Sequence, residues 1–142
     1  MLRENLVPVR ILIVDDHDVV REGVRAILKK REGWQICGEA ANGQDAVRQV
    51  EALKPDVVIL DITMPKMSGL DVARTVVQSA PRSRVLMFTM HDSDTVEQAV
   101  RGSGAHGLVL KLHAARDLVK AVDAVLGGET FFGSKPVPRE VH

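Results

Sequence analysis

The sequence has few of the features that mark secreted, membrane-spanning or disulfide-stabilised proteins. Its single cysteine, Cys37, cannot form an internal disulfide, which fits a reducing cytoplasmic compartment and leaves a packing role for this residue. No apolar run is long enough to cross a membrane, and residues 1–10 are too polar for a signal peptide. Neither an internal repeat nor a low-complexity segment is present. We therefore expect a soluble cytoplasmic protein.

The chain also lacks an excess of charge of either sign. Its 19 basic residues balance 19 acidic residues, so the formal net charge is zero. No overall electric field would draw such a chain onto DNA or an anionic membrane, and DNA binding would require another domain. With 142 residues, of which 45% are hydrophobic and 27% charged, the composition is that of one ordinary globular domain.

Strand-like and helix-like segments alternate along the chain. Apolar runs predict five β-strands, and the weakest pattern, at residues 34–40, predicts an edge strand. Apolar residues spaced three and four apart predict five helices, with Asp18, Asn42 and Ser68 capping the first three. The first helix is expected to extend to about Arg31. Such strict alternation predicts an α/β fold, a doubly wound parallel sheet with helices on both faces.

This alternation covers residues 10–128 and sets the predicted domain boundaries. Residues 1–9 form a short N-terminal leader. After the last helix, Pro136 and Pro138 interrupt a segment that has no periodic pattern. Residues 129–142 are therefore predicted to be a C-terminal linker, or the start of a connection to a domain that is absent here.

Polar residues follow four of the predicted strands. Four consecutive apolar residues predict a central strand that ends in Asp61, and the other three strands lead into Asp15 and Asp16, Thr89 and Lys111. The carboxyl ends of parallel strands meet at one edge of a sheet, where ligands bind. Two carboxylates about 4 Å apart repel by roughly 1–4 kcal/mol, and Mg²⁺, which prefers hard oxygen ligands, would relieve that repulsion. The sequence therefore predicts a magnesium site with a hydroxyl and an ammonium beside it.

Two other patterns carry less weight. Residues 102–107 match the glycine-rich dinucleotide fingerprint letter for letter, but they follow a helix and precede a strand, the reverse of the required order. His17 and His91 fall near the rim of the predicted cleft, and no histidine pair has the spacing of zinc ligands. We interpret both as solvated loop residues and give the other three histidines no role in a site.

The strand-end residues and their neighbours resemble the receiver domain of bacterial response regulators. The segments that carry this resemblance are Asp15-Asp16-His17, Asp61-Ile62-Thr63-Met64-Pro65, Ser68-Gly69-Leu70, Thr89-Met90-His91-Asp92 and Gly104-Ala105-His106-Gly107-Leu108-Val109-Leu110-Lys111. The local sequence is most similar to the NarL/FixJ (LuxR-type) subfamily of transcriptional regulators. The resemblance implies a flavodoxin-like fold, with five parallel strands in the order 2-1-3-4-5 and five helices.

The resemblance also implies a role for each matching residue. Asp61 is the phosphoacceptor, Thr89 supplies a switch hydroxyl, and Lys111 pairs with the phosphate. The implied ligands of Mg²⁺ are Asp16, Asp61, Asp15 through a water molecule, and the backbone carbonyl of Thr63. The chain would then act as a phosphoprotein in a phosphorelay, a signalling domain rather than an enzyme, which promotes its own phosphorylation and dephosphorylation.

The implied partners follow from the same resemblance. A sensor histidine kinase would supply the phosphoryl group, and transcription would be controlled through a helix-turn-helix DNA-binding domain that is absent from this chain. The subfamily leaves open a phosphorylation-dependent homodimer through the first and last helices. Direct DNA contact by this chain and a membrane are not expected.

Two alternative functions fit the residues less well. A haloacid-dehalogenase-like phosphatase also uses a strand-end aspartate and Mg²⁺, but it has a second aspartate two residues later, where this chain has Thr63. A degenerate receiver that serves only as a binding module would be expected to have lost Asp61, Asp16 or Lys111, and all three are present. One departure from the family is Leu108, which replaces a usual aromatic residue and predicts weaker coupling between the site and the fourth helix.

Overall fold

The computed structural model describes residues 7–133 and the backbone of residues 135–138. Within this part, the chain forms seven strands and five α-helices. Strands β1 to β7 comprise Val9–Val14, Trp34–Ala40, Val57–Asp61, Arg84–Thr89, Gly107–Leu110, Glu129–Phe132 and Lys135–Pro138. Helices α1 to α5 comprise Asp18–Leu28, Gly43–Leu53, Gly69–Ser79, Asp94–Gly102 and Ala114–Leu126. Most of the predicted leader, residues 1–6, lies outside the described residues, as do residues 134 and 139–142.

The first five strands form a parallel sheet in the order β2-β1-β3-β4-β5. This order and the edge position of β2 confirm the predictions. All five residues of β3 are buried, as expected for a central strand that helices cover on both faces. Helices α1 and α5 pack on one face, whereas α2, α3 and α4 pack on the other. No helix in the described residues is long and apolar enough to span a membrane.

The prediction of five strands was wrong, because the segment after α5 adds a hairpin to the sheet. Strand β6 pairs parallel to β5, and β7 returns antiparallel to β6. Phe131 is fully buried in the core beneath α1 and α5, and Phe132 is buried in the core on the other face. The two rings anchor this segment, while the prolines of β7 are tolerated because an outer strand can leave backbone donors out of the ladder.

Helix capping agrees with the sequence at two of three positions. The side chains of Asn42 and Ser68 accept hydrogen bonds from the third residues of α2 and α3, which confirms both caps. Asp18, however, is the first residue of α1, and its carboxylate pairs with Arg21. The predicted cap at Asp18 was therefore wrong, since His17 occupies the cap position without a capping side-chain bond, and α1 ends at Leu28.

Gly69 allows α3 to begin directly against the end of β3. A Cβ atom at this position would lie 2.0 Å from the carbonyl oxygen of Asp61 and 2.7 Å from Cα of Ile62. The amide of Gly69 also donates to the carbonyl of Ile62 at 2.7 Å, which closes the β3–α3 loop. Because these neighbours are backbone atoms, they cannot move aside without displacing Asp61.

We expect Gly69→Ala to destabilise the protein by at least about 1–3 kcal/mol, the usual cost of overpacking a well-packed site. Gly23→Ala is the matched control, because Gly23 lies in the exposed middle of α1 and its Cβ would meet nothing within 4 Å. That control should gain about 1 kcal/mol from helix propensity. Urea unfolding of both variants measures the difference, and equal stabilities would contradict the close approach at Gly69.

Candidate functional site

The carboxyl ends of β1, β3, β4 and β5 bring together the polar residues that follow these strands. Asp15 and Lys111 directly follow β1 and β5, while Asp61 and Thr89 are the last residues of β3 and β4. Asp15, Asp61 and Thr89 are all more than nine-tenths buried. A cavity of about 430 Å³ opens at this edge of the sheet. It is lined by Asp16, His17, Asp61, Thr63, Met64, Pro65, Thr89, Met90, His91 and Lys111.

Lys111 forms ion pairs with two of the buried aspartates. Its Nζ atom lies 2.7 Å from Oδ2 of Asp15 and 3.3 Å from Oδ1 of Asp61. The ammonium also lies 5.7 Å from the centre of the Phe88 ring, within the range of a cation–π contact. Since only 11% of the lysine side chain is exposed, solvent screens these charges weakly. Lys111 therefore supplies the positive charge that keeps two neighbouring carboxylates close together.

Asp61 occupies an environment that disfavours its ionised form. Burial is the largest cause of a raised pKa for this carboxyl group, and the nearby negative charge of Asp15 raises it further. Lys111 opposes the shift through its charge and its hydrogen bond, and the amide of Thr63 opposes it by donating to Oδ1 of Asp61 at 3.3 Å. The net pKa shift is upward, so additional positive charge at this carboxylate would be stabilising.

The residues on the β1 side of the cavity offer further ligand atoms. Asp15, Asp16, His17 and Asp61 each present one such atom, and these atoms lie within 4.8 Å of one another. Oδ1 of Asp16 is buried, and its contact within the described residues is Nδ1 of His17 at 3.1 Å, an ion-pair distance without hydrogen-bond geometry. A buried carboxylate oxygen that makes no hydrogen bond is suited to a cation. The three carboxylates therefore fit Mg²⁺, which favours oxygen ligands and retains water.

His17 belongs to this cluster, which the sequence reasoning did not predict. Its ring nitrogen Nδ1 lies 3.1 Å from Oδ1 of Asp15 and 3.1 Å from Oδ1 of Asp16. The amide of His17 also donates to Oδ1 of Asp15 at 2.9 Å. The side chain is nevertheless 66% exposed, so the expected solvation is compatible with these contacts. Its position directly after the acid pair was the available clue.

Thr89 presents its hydroxyl group to the cavity from the end of β4. Its Oγ1 atom accepts a hydrogen bond from the amide of His91 at 3.1 Å, which holds the start of the β4–α4 loop close to the strand. A hydroxyl that accepts one bond keeps its own proton for a further acceptor. Met90 lies at the rim of the cavity and is 72% exposed. A group bound near Asp61 could thus engage Thr89 without any exchange of charge.

His106, the glycine-rich residues 102–107 and Leu108 contribute to packing and to chain connections, and none of them lines the cavity. Nδ1 of the buried His106 accepts a hydrogen bond from the amide of Val85 at 2.9 Å, which ties β5 to β4. The glycine-rich residues 102–107 run from the end of α4 into β5, so they form no helix N-terminus for a dinucleotide. Leu108 is half-buried and packs against the core beneath α2, α3 and α4.

Comparison with known proteins agrees with this geometry. The response regulator receiver domain family matches residues 11–123. Transcriptional regulatory protein DegU of Brevibacillus brevis is 35% identical over 127 residues, which are 89% of this chain and 54% of DegU. Response regulator UvrY of Escherichia coli O6:H1 is 35% identical over 126 residues, which are 89% of this chain and 58% of UvrY. The chain thus spans little more than half the length of these curated relatives.

A solved structure shows the same similarity in three dimensions. The crystal structure of a LuxR-family two-component response regulator from Aurantimonas sp. SI85-9A1 superposes with a TM-score of 0.83 at 35% identity. The superposition covers 87% of this chain and 89% of that one. Because the family match includes every strand end that lines the cavity, and the similar solved structure is that of a LuxR-family regulator, the chain belongs to the response regulator receiver domains of two-component systems, within the NarL/FixJ subfamily.

Proposed function

We propose that Asp61 accepts a phosphoryl group from a phosphohistidine of a sensor histidine kinase, in a reaction that depends on Mg²⁺. The observation that carries this proposal is the position of Asp61 at an open cavity, with Nζ of Lys111 3.3 Å away and the ligand atoms of the acid cluster within 4.8 Å of one another. An oxygen of the Asp61 carboxylate attacks phosphorus, a P–O bond forms, and the P–N bond to histidine breaks. The histidine nitrogen leaves with the bonding electron pair, and an acyl phosphate results.

A carboxylate needs no general base to act as a nucleophile, so the protein contributes mainly alignment and charge. Lys111 pairs with a phosphoryl oxygen and with the ionised cluster. The residues that would hold Mg²⁺ are Asp16, Asp61, Asp15 through water, and the backbone carbonyl of Thr63. When bound, the cation neutralises negative charge on the phosphoryl oxygens. In this proposal the domain modifies itself, and it promotes its own dephosphorylation by water, rather than converting a separate substrate.

In this proposal, phosphorylation of Asp61 changes the conformation of the β4–α4 loop through Thr89. Its hydroxyl group donates a hydrogen bond to a phosphoryl oxygen on Asp61 and moves inward. The β4–α4 loop follows, because the amide of His91 is bonded to Oγ1 of Thr89. We also propose that Leu108, which lacks an aromatic ring, transmits this movement to α4 only weakly.

The output of the switch is proposed to be transcription. The relatives DegU and UvrY are longer than this chain, which matches just over half of each. We infer that a helix-turn-helix domain would bind DNA, that residues 129–142 lead towards it, and that a phosphorylation-dependent homodimer would form through α1 and α5. Such a switch would operate in the cytoplasm, where its kinase phosphorylates it.

A phosphatase function has less support than the switch. Such an enzyme would need an acid or base close to the leaving group, two residues after Asp61, and that position is Thr63. The amide of Thr63 donates to Asp61 instead.

The first prediction from this proposal concerns the phosphoacceptor. Incubation with Mg²⁺ and acetyl phosphate should add one phosphoryl group to the wild-type chain, and hydroxylamine should remove it, as expected of an acyl phosphate. Asp61→Asn should incorporate none, because an amide is a poor nucleophile. Intact-mass measurement with and without EDTA tests both statements, and equal incorporation in wild type and Asp61→Asn would exclude Asp61 as the acceptor.

A second prediction follows from the raised pKa of Asp61. The folded state binds this proton more tightly than the unfolded chain, so ionised Asp61 destabilises the fold above its folded pKa. That cost fades as the pH falls through the folded pKa towards the unfolded value of about 3.9. Asp61→Asn should therefore raise the melting temperature at pH 7.5 in EDTA, and this gain should disappear near pH 4.

Mg²⁺ supplies the matched comparison for that prediction. It should raise the melting temperature of wild type more than that of Asp61→Asn, because the variant has lost a charged ligand. Calorimetry at two pH values, with and without Mg²⁺, measures all four differences. A lower melting temperature for Asp61→Asn at pH 7.5 in EDTA would contradict the net destabilisation by the buried charge.

The third prediction separates chemistry from switching. Thr89 contributes one neutral hydrogen bond, worth about 0.5–1.5 kcal/mol, so Thr89→Ala should still be phosphorylated but should leave the β4–α4 loop unmoved. Lys111→Ala should slow phosphorylation by more than tenfold, roughly the effect of losing a charged contact worth 1.5–3 kcal/mol. Mass spectrometry follows the rate, and amide chemical shifts with beryllofluoride follow the loop. Full switching in Thr89→Ala would remove Thr89 from the mechanism.

A further inference from the structure

The loop between β1 and α1 carries Asp15 and Asp16, so its backbone decides where these two carboxylates point. The amide of Asp15 donates to the carbonyl of Ala40 in β2 at 3.0 Å. The carbonyl of Asp15 accepts a hydrogen bond from Nη1 of Arg21 at 2.6 Å. The residue is therefore held on both sides, by the neighbouring strand through its amide and by a side chain of α1 through its carbonyl.

Arg21 bonds to three separate acceptors. Besides the carbonyl of Asp15, its Nε atom donates to Oε1 of Glu39 at 3.0 Å, and Nη2 pairs with Asp18. The side chain is only 16% exposed, so it occupies a defined place between α1 and the sheet. A guanidinium group has five donors in a rigid planar fork, whereas a lysine ammonium carries its three donors on one nitrogen and lacks the fork that spreads over these three acceptors.

Glu39 can reach Arg21 only because β2 contains a bulge. The register passes from Ile11 opposite Ile36 to Leu12 opposite Gly38, so Cys37 is an extra residue. An uninterrupted register would place Glu39 opposite Val14, which faces α2 and α3. The bulge places it opposite Ile13 instead, on the side of the sheet that α1 covers.

The rest of Glu39 is also held in place. Its backbone carbonyl accepts a hydrogen bond from Nε2 of Gln49 at 2.8 Å, and Gln49 is itself bonded to Asp45 at 2.9 Å. Glu39 is thus connected to α2 through its backbone and to α1 through its carboxylate. The chain of contacts runs from α2 through β2 and Arg21 to the end of β1, where the acid pair begins.

We propose that Arg21, anchored by Glu39, is a positioning residue that holds the Asp15–Asp16 peptide in the orientation needed to bind a divalent cation beside Asp61. This inference rests on the proposed function, because it assigns a role in the metal binding that phosphorylation of Asp61 requires. Arg21 is not among the residues that line the cavity beside Asp61. It acts through the backbone carbonyl of Asp15, and its loss lets that carbonyl and the following carboxylates change direction.

Arg25 provides a matched control within the same helix. It pairs with the other carboxylate oxygen of Glu39 and makes no hydrogen bond to the β1–α1 loop. Arg25→Gln removes the same charge as Arg21→Gln, from the same cluster, one helical turn away. Arg21→Lys keeps the charge and loses the three-way bridge. Glu39→Gln leaves the guanidinium in place but weakens its anchor.

The test measures Mg²⁺ affinity by calorimetric titration and, without metal, hydrogen exchange of the His17 amide, which donates to Oδ1 of Asp15. We expect Arg21→Gln and Arg21→Lys each to bind Mg²⁺ about tenfold more weakly, the typical effect of removing a residue that orients a metal ligand. Exchange of the His17 amide should be about tenfold faster in both. Arg25→Gln should stay within about twofold of wild type in both measurements. The affinity and exchange rate of Glu39→Gln should lie between those of Arg25→Gln and Arg21→Gln.

Three results would overturn the proposal. The first is equal Mg²⁺ affinities and equal exchange rates of the His17 amide in Arg21→Gln and Arg25→Gln. The second is a Mg²⁺ affinity of Arg21→Lys equal to that of wild type, which would show that the charge alone matters. The third is that Arg21→Gln does not fold while Glu39→Gln folds and binds Mg²⁺ as wild type does. Arg21 would then stabilise the fold in general and would not position the metal ligands. If wild type itself binds no Mg²⁺, the proposed function fails, while the exchange rates of the His17 amide still decide whether Arg21 positions the loop.

Discussion

Two buried carboxylates share one ammonium at the carboxyl edge of the sheet, and the rest of the site depends on these ion pairs. Lys111 lies within ion-pair distance of both Asp15 and Asp61, yet the pKa of Asp61 remains raised because burial and the charge of Asp15 outweigh the lysine. The site is therefore short of positive charge, and the buried Oδ1 of Asp16 makes no hydrogen bond within the described residues, although Nδ1 of His17 lies 3.1 Å away. A cation would relieve both conditions, which connects the electrostatics of these residues to the proposed dependence on Mg²⁺.

Backbone contacts hold the loops that carry these charges. On one side, Gly69 lets α3 start against the carbonyl of Asp61, where no side chain would fit. On the other side, Arg21 bonds the carbonyl of Asp15 and connects it to Glu39. Repulsion between like charges favours separation, so the loops that carry them need these supports. Ionised Asp61 therefore lowers the stability of the domain, although the proposed reaction needs it. Gly69 and Arg21, by contrast, support the loops that carry the site.

The hairpin of β6 and β7 brings the segment after α5 into contact with α4. It covers the edge of β5, and the ring of Phe132 lies 4.0 Å from the guanidinium carbon of Arg101 in α4. A movement of α4 would therefore reach the segment after α5 through a direct contact. Phe131 and Phe132 bury one ring on each face of the sheet, so this segment is part of the core.

The sequence by itself determined the alternating strands and helices, the central position of β3, two helix caps, and the residues gathered at the carboxyl edge, because these depend on local periodicity and on the rule that parallel strands end together. It did not reveal the hairpin, since Pro136 and Pro138 indicate irregular structure and only the packing of Phe131 and Phe132 outweighs that tendency. Nor could it place Glu39 beside Arg21 or His17 between two carboxylates, because one bulge residue decides which face a side chain occupies, and only the tertiary structure fixes that register.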